Sequence, residues 1–260
     1  MNTVTSKDGT TIAYDRAGNG PAVILVCGGS VDRTSNAPLA EILSARFTTF
    51  NYDRRGRGDS GDAQPYSEDR EIEDIEAVLG DAGGTAFLYG TSSGAALALD
   101  ATAVVPGIAK LALWEPPYIT SEFERFRPPL DTADTYRELV AEGRRGDAAE
   151  FFMSKVVGMP DESVAQAKQS PWWPAQEALA HTLAYDAEIM GDYSVPTELA
   201  ATVATPTVVI DGGASFPFLH AAADTLAEAL PNGERRTLEG QEHNVDPAAI
   251  AAVLEEFFAA

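Results

Sequence analysis

The sequence predicts an α/β fold, with a mostly parallel central sheet flanked by helices. Three observations carry that prediction. Apolar runs rich in β-branched and aromatic residues, at 22–26, 47–52, 86–89, 108–114 and 206–210, alternate with helix-patterned stretches, as in a parallel sheet buried on both faces. The run at 86–89 meets Gly90-Thr91-Ser92-Ser93-Gly94 and leaves it as Ala95-Ala96-Leu97-Ala98-Leu99, which reads as strand, tight turn and helix. The alternation lapses once, over residues 118–204.

In chain order, Thr11-Ile12-Ala13-Tyr14-Asp15 lies between an Asp8-Gly9 turn and Gly18-Asn19-Gly20-Pro21, and together these read as an early hairpin. Ala22 to Val26 is continuously apolar and runs straight into Cys27-Gly28-Gly29-Ser30, where glycines past a central strand leave backbone N–H groups free to meet a ligand. Residues 37–45 are helix-like, and 47–52 form the next strand. Ile72, Ile75 and Leu79 recur at i, i+3 and i+7, a helix with one buried face. After the Ser92 turn and its helix, the strand at 108–114 halts at Glu115-Pro116-Pro117. That places a carboxylate among the loops at the carboxyl ends of the strands, where α/β sheets bind ligands.

Residues 118–204 are helix-prone and broken by Pro128, Pro129, Pro160, Pro171, Pro174 and Pro196. The stretch exceeds a normal crossover connection and reads as a helical insertion. Its aromatics divide between an internal core and the lining of an apolar pocket, with Trp172 and Trp173 as the expected substrate-binding pair. The sheet resumes before Asp211-Gly212-Gly213, a helix follows over about 218–230, and 235–238 is a last short strand. Ile250, Val253, Leu254, Phe257 and Phe258 give the final helix an apolar face. His243 therefore falls in the polar loop between the last strand and the last helix.

The spacing Gly-x-Ser-x-Gly has a physical reason. The turn forces Ser92 into a strained backbone conformation, and the flanking glycines let strand and helix pass close together. Ser93 opens the helix, so its N–H is an unpaired first-turn donor aimed at any oxyanion forming beside Ser92. Gly56, Gly58 and Gly61 match a dinucleotide fingerprint, but Asp62-Ala63-Gln64-Pro65 opens no helix, and the match reads as a structural loop.

Composition narrows the functions further. Lys and Arg number 18 against 40 Asp and Glu, a formal charge of −22; such a field repels phosphate backbones and anionic lipid surfaces. No nucleic-acid or membrane partner is expected. No apolar run reaches the ~20 residues that cross a bilayer, and the first residues carry no apolar signal region, so a cytoplasmic location is expected. The lone Cys27 excludes an intramolecular disulfide. With His181, His220 and His243 it is also too sparsely placed for a zinc site. Nothing near Cys27 would lower its pKa, which argues against it as a nucleophile.

On these motifs the chain resembles the α/β-hydrolase superfamily, over a core of residues 1–115 and 205–260 with a helical cap at 116–204 between the sixth and seventh strands. The resemblance puts Ser92 on the nucleophile elbow, His243 on the loop of the catalytic base, and Gly29 and Ser93 as the oxyanion donors. It implies no cofactor and no metal. Two departures stand out. Cys27 replaces the histidine that usually opens the oxyanion motif, and Ser215 stands where most members carry the acid after the seventh strand. Some members, one group of haloalkane dehalogenases among them, take the acid from the end of the sixth strand, the position of Glu115. Glu115 is preferred, with Asp211 as the alternative. Serine at position 92 also separates the chain from the superfamily's aspartate-nucleophile dehalogenases and epoxide hydrolases.

The implied activity is serine hydrolysis of a small to medium, largely apolar ester, lactone or thioester. A perhydrolase or carbon–carbon hydrolase with the same triad, or a non-hydrolytic ligand-binding protein, are the alternatives. The sequence leaves the choice of acyl substrate and the oligomeric state open.

Overall fold

The computed structural model describes residues 1–260. Eight strands form one sheet, ordered β1-β2-β4-β3-β5-β6-β7-β8. They are β1 (Asn2–Thr5), β2 (Thr11–Ala17), β3 (Ala22–Val26), β4 (Thr48–Tyr52), β5 (Ala86–Thr91), β6 (Ile108–Trp114), β7 (Thr207–Gly212) and β8 (Gly233–Leu238). From β4 to β8 every pairing is parallel. The early hairpin forms around Asp8-Gly9, with β1 antiparallel to β2 and Asn2 opposite Tyr14. The Gly18–Pro21 turn closes no second hairpin, because β2 pairs antiparallel with β4 while β3 lies on the other side of β4.

Period-two alternation splits the strand residues between two cores. Ile24, Val26, Leu88, Leu111, Leu113 and Val209 face a principal apolar cluster. Val23, Leu25, Tyr89, Ala112, Trp114, Val208 and Ile210 face a second one. The first is covered by α2 (Glu68–Asp81), α3 (Ser93–Val104) and α10 (Pro217–Ala229), the second by α1 (Ala37–Leu43) and α11 (Pro247–Ala259). The faces read from the periodicity are the buried ones: Ile75 and Leu79 in α2, and Ile250, Leu254, Phe257 and Phe258 in α11.

Between β6 and β7 the chain holds no strand and six α-helices: α4 (Thr132–Ala141), α5 (Arg145–Phe151), α6 (Asp161–Ala167), α7 (Trp173–Leu179), α8 (Leu183–Met190) and α9 (Thr197–Ala200). Its ends pack into the principal core through Tyr118, Ile119, Ile189, Met190, Ala200 and Val203. Its middle builds two small clusters of its own, around Tyr136 with Leu183 and around Met153 with Trp173.

Across the contact between α2 and α3, Asp100 meets Glu68 carboxyl to carboxyl. Burial, the Glu68 charge and a hydrogen bond to Glu68 push the Asp100 carboxyl up from 3.8 to about 8. The folded chain thus keeps a proton there that the unfolded chain releases near pH 4. Over that window the native state binds more protons, so this pair's contribution to stability is full below about pH 4 and is lost as the pH rises to about 8. The stability difference between the wild type and Asp100→Asn, followed by urea unfolding from pH 4 to 8, should decline steadily with pH; a flat difference would refute the shared proton.

Candidate active site

The site starts at the turn between β5 and α3. Ser92 holds φ 55° and ψ −127°, a strained conformation for a residue with a Cβ. Two close approaches make room for it. A Cβ on Gly94 would stand 2.3 Å from the Cys27 carbonyl oxygen, and one on Gly90 would stand 2.4 Å from the Gly94 oxygen. The turn is tied to the neighbouring strand by the Ser92 N–H, which donates to Trp114 O at 2.9 Å.

The structure brings Ser92, His243 and Glu115 together. His243 Nε2 lies 3.3 Å from Ser92 Oγ, and His243 Nδ1 lies 2.7 Å from Glu115 Oε2. Glu115 follows the last residue of β6, is fully buried, and has a left-handed φ of 43°. Its other oxygen accepts from the Gly212 N–H at 2.7 Å, and its own N–H donates to Ile210 O at 3.0 Å. The Trp114 indole N–H holds the loop from the other side by donating to His243 O at 2.9 Å.

Asp211 is placed elsewhere. Buried at the end of β7, it accepts from Arg235 Nε at 2.9 Å, from the second Arg235 nitrogen at 2.8 Å and from Thr237 Oγ1 at 3.0 Å, and it also contacts His220 Nδ1. Burial would raise its carboxyl, yet the hydrogen bonds from Arg235, His220 and Thr237 hold it below its ordinary value.

Gly29 and Ser93 both line the cavity beside Ser92. Neither backbone N–H donates to a backbone or side-chain acceptor. Cys27 is fully buried, and desolvation pushes its thiol up despite the nearby Arg57 and Arg54 guanidiniums, which disfavours the thiolate.

Beneath the site lies a set of charges that reading the sequence residue by residue misses. The glycine-rich stretch after β4 turns Arg54, Arg55 and Arg57 into the interior, where none is more than 1% exposed. Arg54 forms a two-pronged pair with Glu71, both contacts at 2.8 Å, and reaches Asp186 of α8 at 2.8 Å. Arg57 clamps both Asp186 oxygens at 2.8 and 2.9 Å. Arg55 pairs with Asp74 in the same two-pronged way and with Asp8 at 3.0 Å. Burial alone would raise the Asp186 carboxyl, but Arg57, Arg54 and the Ser93 hydroxyl hold it below its ordinary value. These arginines therefore offer no free charge to an anionic substrate.

The cavity above Ser92 measures about 440 Å³, within the ~300–1,000 Å³ of small-molecule sites. Sixteen of its 28 lining residues are hydrophobic. Its aromatic wall is Tyr89, Tyr136, Phe152, Tyr193, Phe216 and Phe218, and the expected pair, Trp172 and Trp173, is not part of it. Trp173 instead packs into the cluster with Ala149, Met153, Val164 and Ala167, and its indole N–H donates to Glu177 at 2.9 Å. Trp172 is 46% exposed. No three His, Cys, Asp or Glu side chains form a group able to hold a metal ion, and no helix is long and apolar enough to cross a membrane.

Residues 23–253 match the model of the Alpha/beta hydrolase family. The chain belongs to the alpha/beta hydrolase family. Over 99% of its length the chain superposes on the whole of an alpha/beta hydrolase from Sphaerobacter thermophilus, with 51% identity and a TM-score of 0.92. A thermophilic esterase from Thermogutta terrifontis shares the fold at a TM-score of 0.76 and 19% identity, over 99% of this chain and 97% of that one. An uncharacterized hydrolase of Bacillus subtilis, YraK, is 33% identical over 96 residues, so the chain spans about a third of that relative's length, 35%.

Two stability contrasts follow. Gly94→Ala forces a methyl against the Cys27 carbonyl and should cost about 1–3 kcal/mol, whereas Gly80→Ala, in α2 with nothing within 4 Å, should be neutral or add about 0.5–1 kcal/mol. Trp173→Ala should cost about 3–5 kcal/mol, and Trp172→Ala should stay within about 0.5 kcal/mol. Urea unfolding of the four variants measures both; equal costs within either pair would contradict the packing described.

Proposed function

We propose that this hydrolase cleaves a small to medium, largely apolar ester, lactone or thioester through a Ser92-His243-Glu115 triad and an acyl-enzyme. The observation that carries the reading is the continuous contact from Ser92 Oγ through His243 to the buried Glu115, opening into an apolar cavity.

In this mechanism His243 Nε2 takes the proton as Ser92 Oγ attacks the carbonyl carbon. Glu115 holds the imidazole in the tautomer that accepts that proton and stabilises the imidazolium. The N–H groups of Gly29 and Ser93 receive the oxyanion. Collapse of the tetrahedral intermediate expels the alcohol or thiol, which takes the proton from His243. Water, activated by the same histidine, then releases the acid and restores Ser92. The helical segment 116–204 acts as a cap, because Tyr136, Phe152, Leu183 and Met190 supply one wall of the cavity. Fold similarity to esterases supports the reaction class and leaves the acyl group open.

The test is intact mass after exposure to a fluorophosphonate, together with turnover of p-nitrophenyl esters of graded chain length. A single addition is expected, absent in Ser92→Ala, which should lower kcat by about 10⁶-fold. Glu115→Gln should lower kcat by about 10⁴-fold, while Asp211→Asn should keep both label and turnover at temperatures where it is folded. Loss of turnover in Asp211→Asn with an active Glu115→Gln would reverse the assignment of the acid. No labelling of the folded wild type would favour a non-hydrolytic, ligand-binding role.

A further inference from the structure

The two expected oxyanion donors sit on segments with little support of their own. Gly29 lies in an irregular loop after β3, and Ser93 is the first residue of α3. Both are held from below by one charged cluster. The Arg57 guanidinium donates to Gly28 O at 2.5 Å and to Val31 O at 3.2 Å, and Arg54 donates to Cys27 O at 3.4 Å. In a trans peptide the carbonyl and the following N–H point in opposite directions. The only cis bond in the chain is Gln64-Pro65, so gripping Gly28 O fixes the direction of the Gly29 N–H. Asp186 then joins the two halves. It is clamped by Arg57, contacts Arg54, and accepts from Ser93 Oγ at 2.8 Å.

We propose that Arg57 and Asp186 are positioning residues for the oxyanion hole: Arg57 aims the Gly29 N–H through its own peptide's carbonyl, and Asp186 locks Arg57 to the first turn of α3. The proposal rests on the serine-hydrolase reading above. Position and charge both enter. A Cβ on Gly29 would stand 3.1 Å from Asp186 Oδ2, so the carboxylate borders the place where negative charge develops. Left unpaired there, it would oppose the oxyanion; clamped by Arg57 and Arg54, its field is cancelled. Lysine cannot substitute for Arg57, because a single ammonium cannot span Gly28 O, Val31 O and both Asp186 oxygens, whereas the planar fork does.

The test compares p-nitrophenyl butyrate with its thionoester, in which sulfur replaces the carbonyl oxygen. Sulfur is larger and accepts hydrogen bonds weakly, so a well-aimed oxyanion hole favours the oxygen ester, and a badly aimed one loses that preference. Each protein is normalised by fluorophosphonate titration, which counts intact sites. For Arg57→Met, kcat/KM on the oxygen ester should fall about 10²-fold with a much smaller fall on the thionoester, so their ratio drops tenfold or more. Arg57→Lys keeps the charge and should show the same loss of preference to a lesser degree.

Arg55→Met removes an equally buried arginine bonded only to Asp8, Asp74 and Arg70 O, and its ratio should match the wild type. If Arg57→Met is too unstable to assay, Arg57→Lys alone decides. A wild-type ratio in the Arg57 variants, with both substrates falling together, overturns the positioning role while leaving the serine-hydrolase reading intact. A wild type that takes no label and turns over neither ester overturns both.

Discussion

The whole site depends on how closely α3 approaches the ends of β3 and β5. Only glycine at 90 and 94 allows carbonyl oxygens to sit 2.4 and 2.3 Å from where a side chain would begin. That approach holds Ser92 at positive φ, and the strain persists because the surroundings over-determine it. The Ser92 N–H is committed to Trp114 O, and the Ser92 carbonyl accepts from Ala95 at 2.8 Å. Once β5 is fixed against β6, Glu115 arrives at the same level, and its contacts with Ile210 and Gly212 bring the end of β7 into line. Three side chains far apart in the sequence thus meet through the ends of adjacent parallel strands, which is where an α/β sheet gathers its loops.

Much of this was legible in the residues. Continuous apolar runs marked the buried parallel strands, and the i, i+3, i+7 pattern marked the inner face of α2. Gly90 and Gly94 around Ser92 announced the close approach. Glu115, standing at a strand end before two prolines, was legible as a carboxylate among ligand-binding loops. The early hairpin formed at Asp8-Gly9, but Gly18–Pro21 closes no second one, because local turn signals say nothing about which distant strand is the partner, and β2 pairs with β4. Trp172 and Trp173 misled for a related reason. Aromatic character marks burial, and whether the burial is in a cavity wall or a small core is decided by helices that sequence spacing does not orient.

The buried arginines were the larger omission, yet a signal existed. Glu71, Asp74, Ile75 and Val78 share one helical stripe at i, i+3, i+4 and i+7, and all four are buried. Carboxylates on an apolar stripe require cationic partners in the interior, because an unpaired buried charge is strongly unfavourable. The glycine-rich stretch 53–61 supplies them. A buried ion pair seldom stabilises more than apolar residues of equal size, so stability alone does not account for these arginines. Guanidinium forks do what apolar side chains cannot: they satisfy buried carbonyls of irregular loops, here Cys27, Gly28 and Val31.

That use of charge changes what the helical segment between β6 and β7 can be. A cover that only closed over the cavity would contribute apolar wall and nothing beneath it. Here α8 does both. Leu183, Ala187 and Met190 line the cavity, and Asp186, on the same helix, reaches under Ser93 to Arg54 and Arg57. Asp186 is only 7% exposed, and pulling it away would leave the buried Arg57 guanidinium without its carboxylate partner, while Arg54 kept Glu71. The stretch Phe152–Val156, whose widened helical turn sets Phe152 and Val156 in the wall, and the half-exposed Val157 beside it carry no such anchor. The helix that walls the cavity near Ser92 is thus tied, through Asp186 and Arg57, to the loop bearing Gly29 and to the first turn of α3.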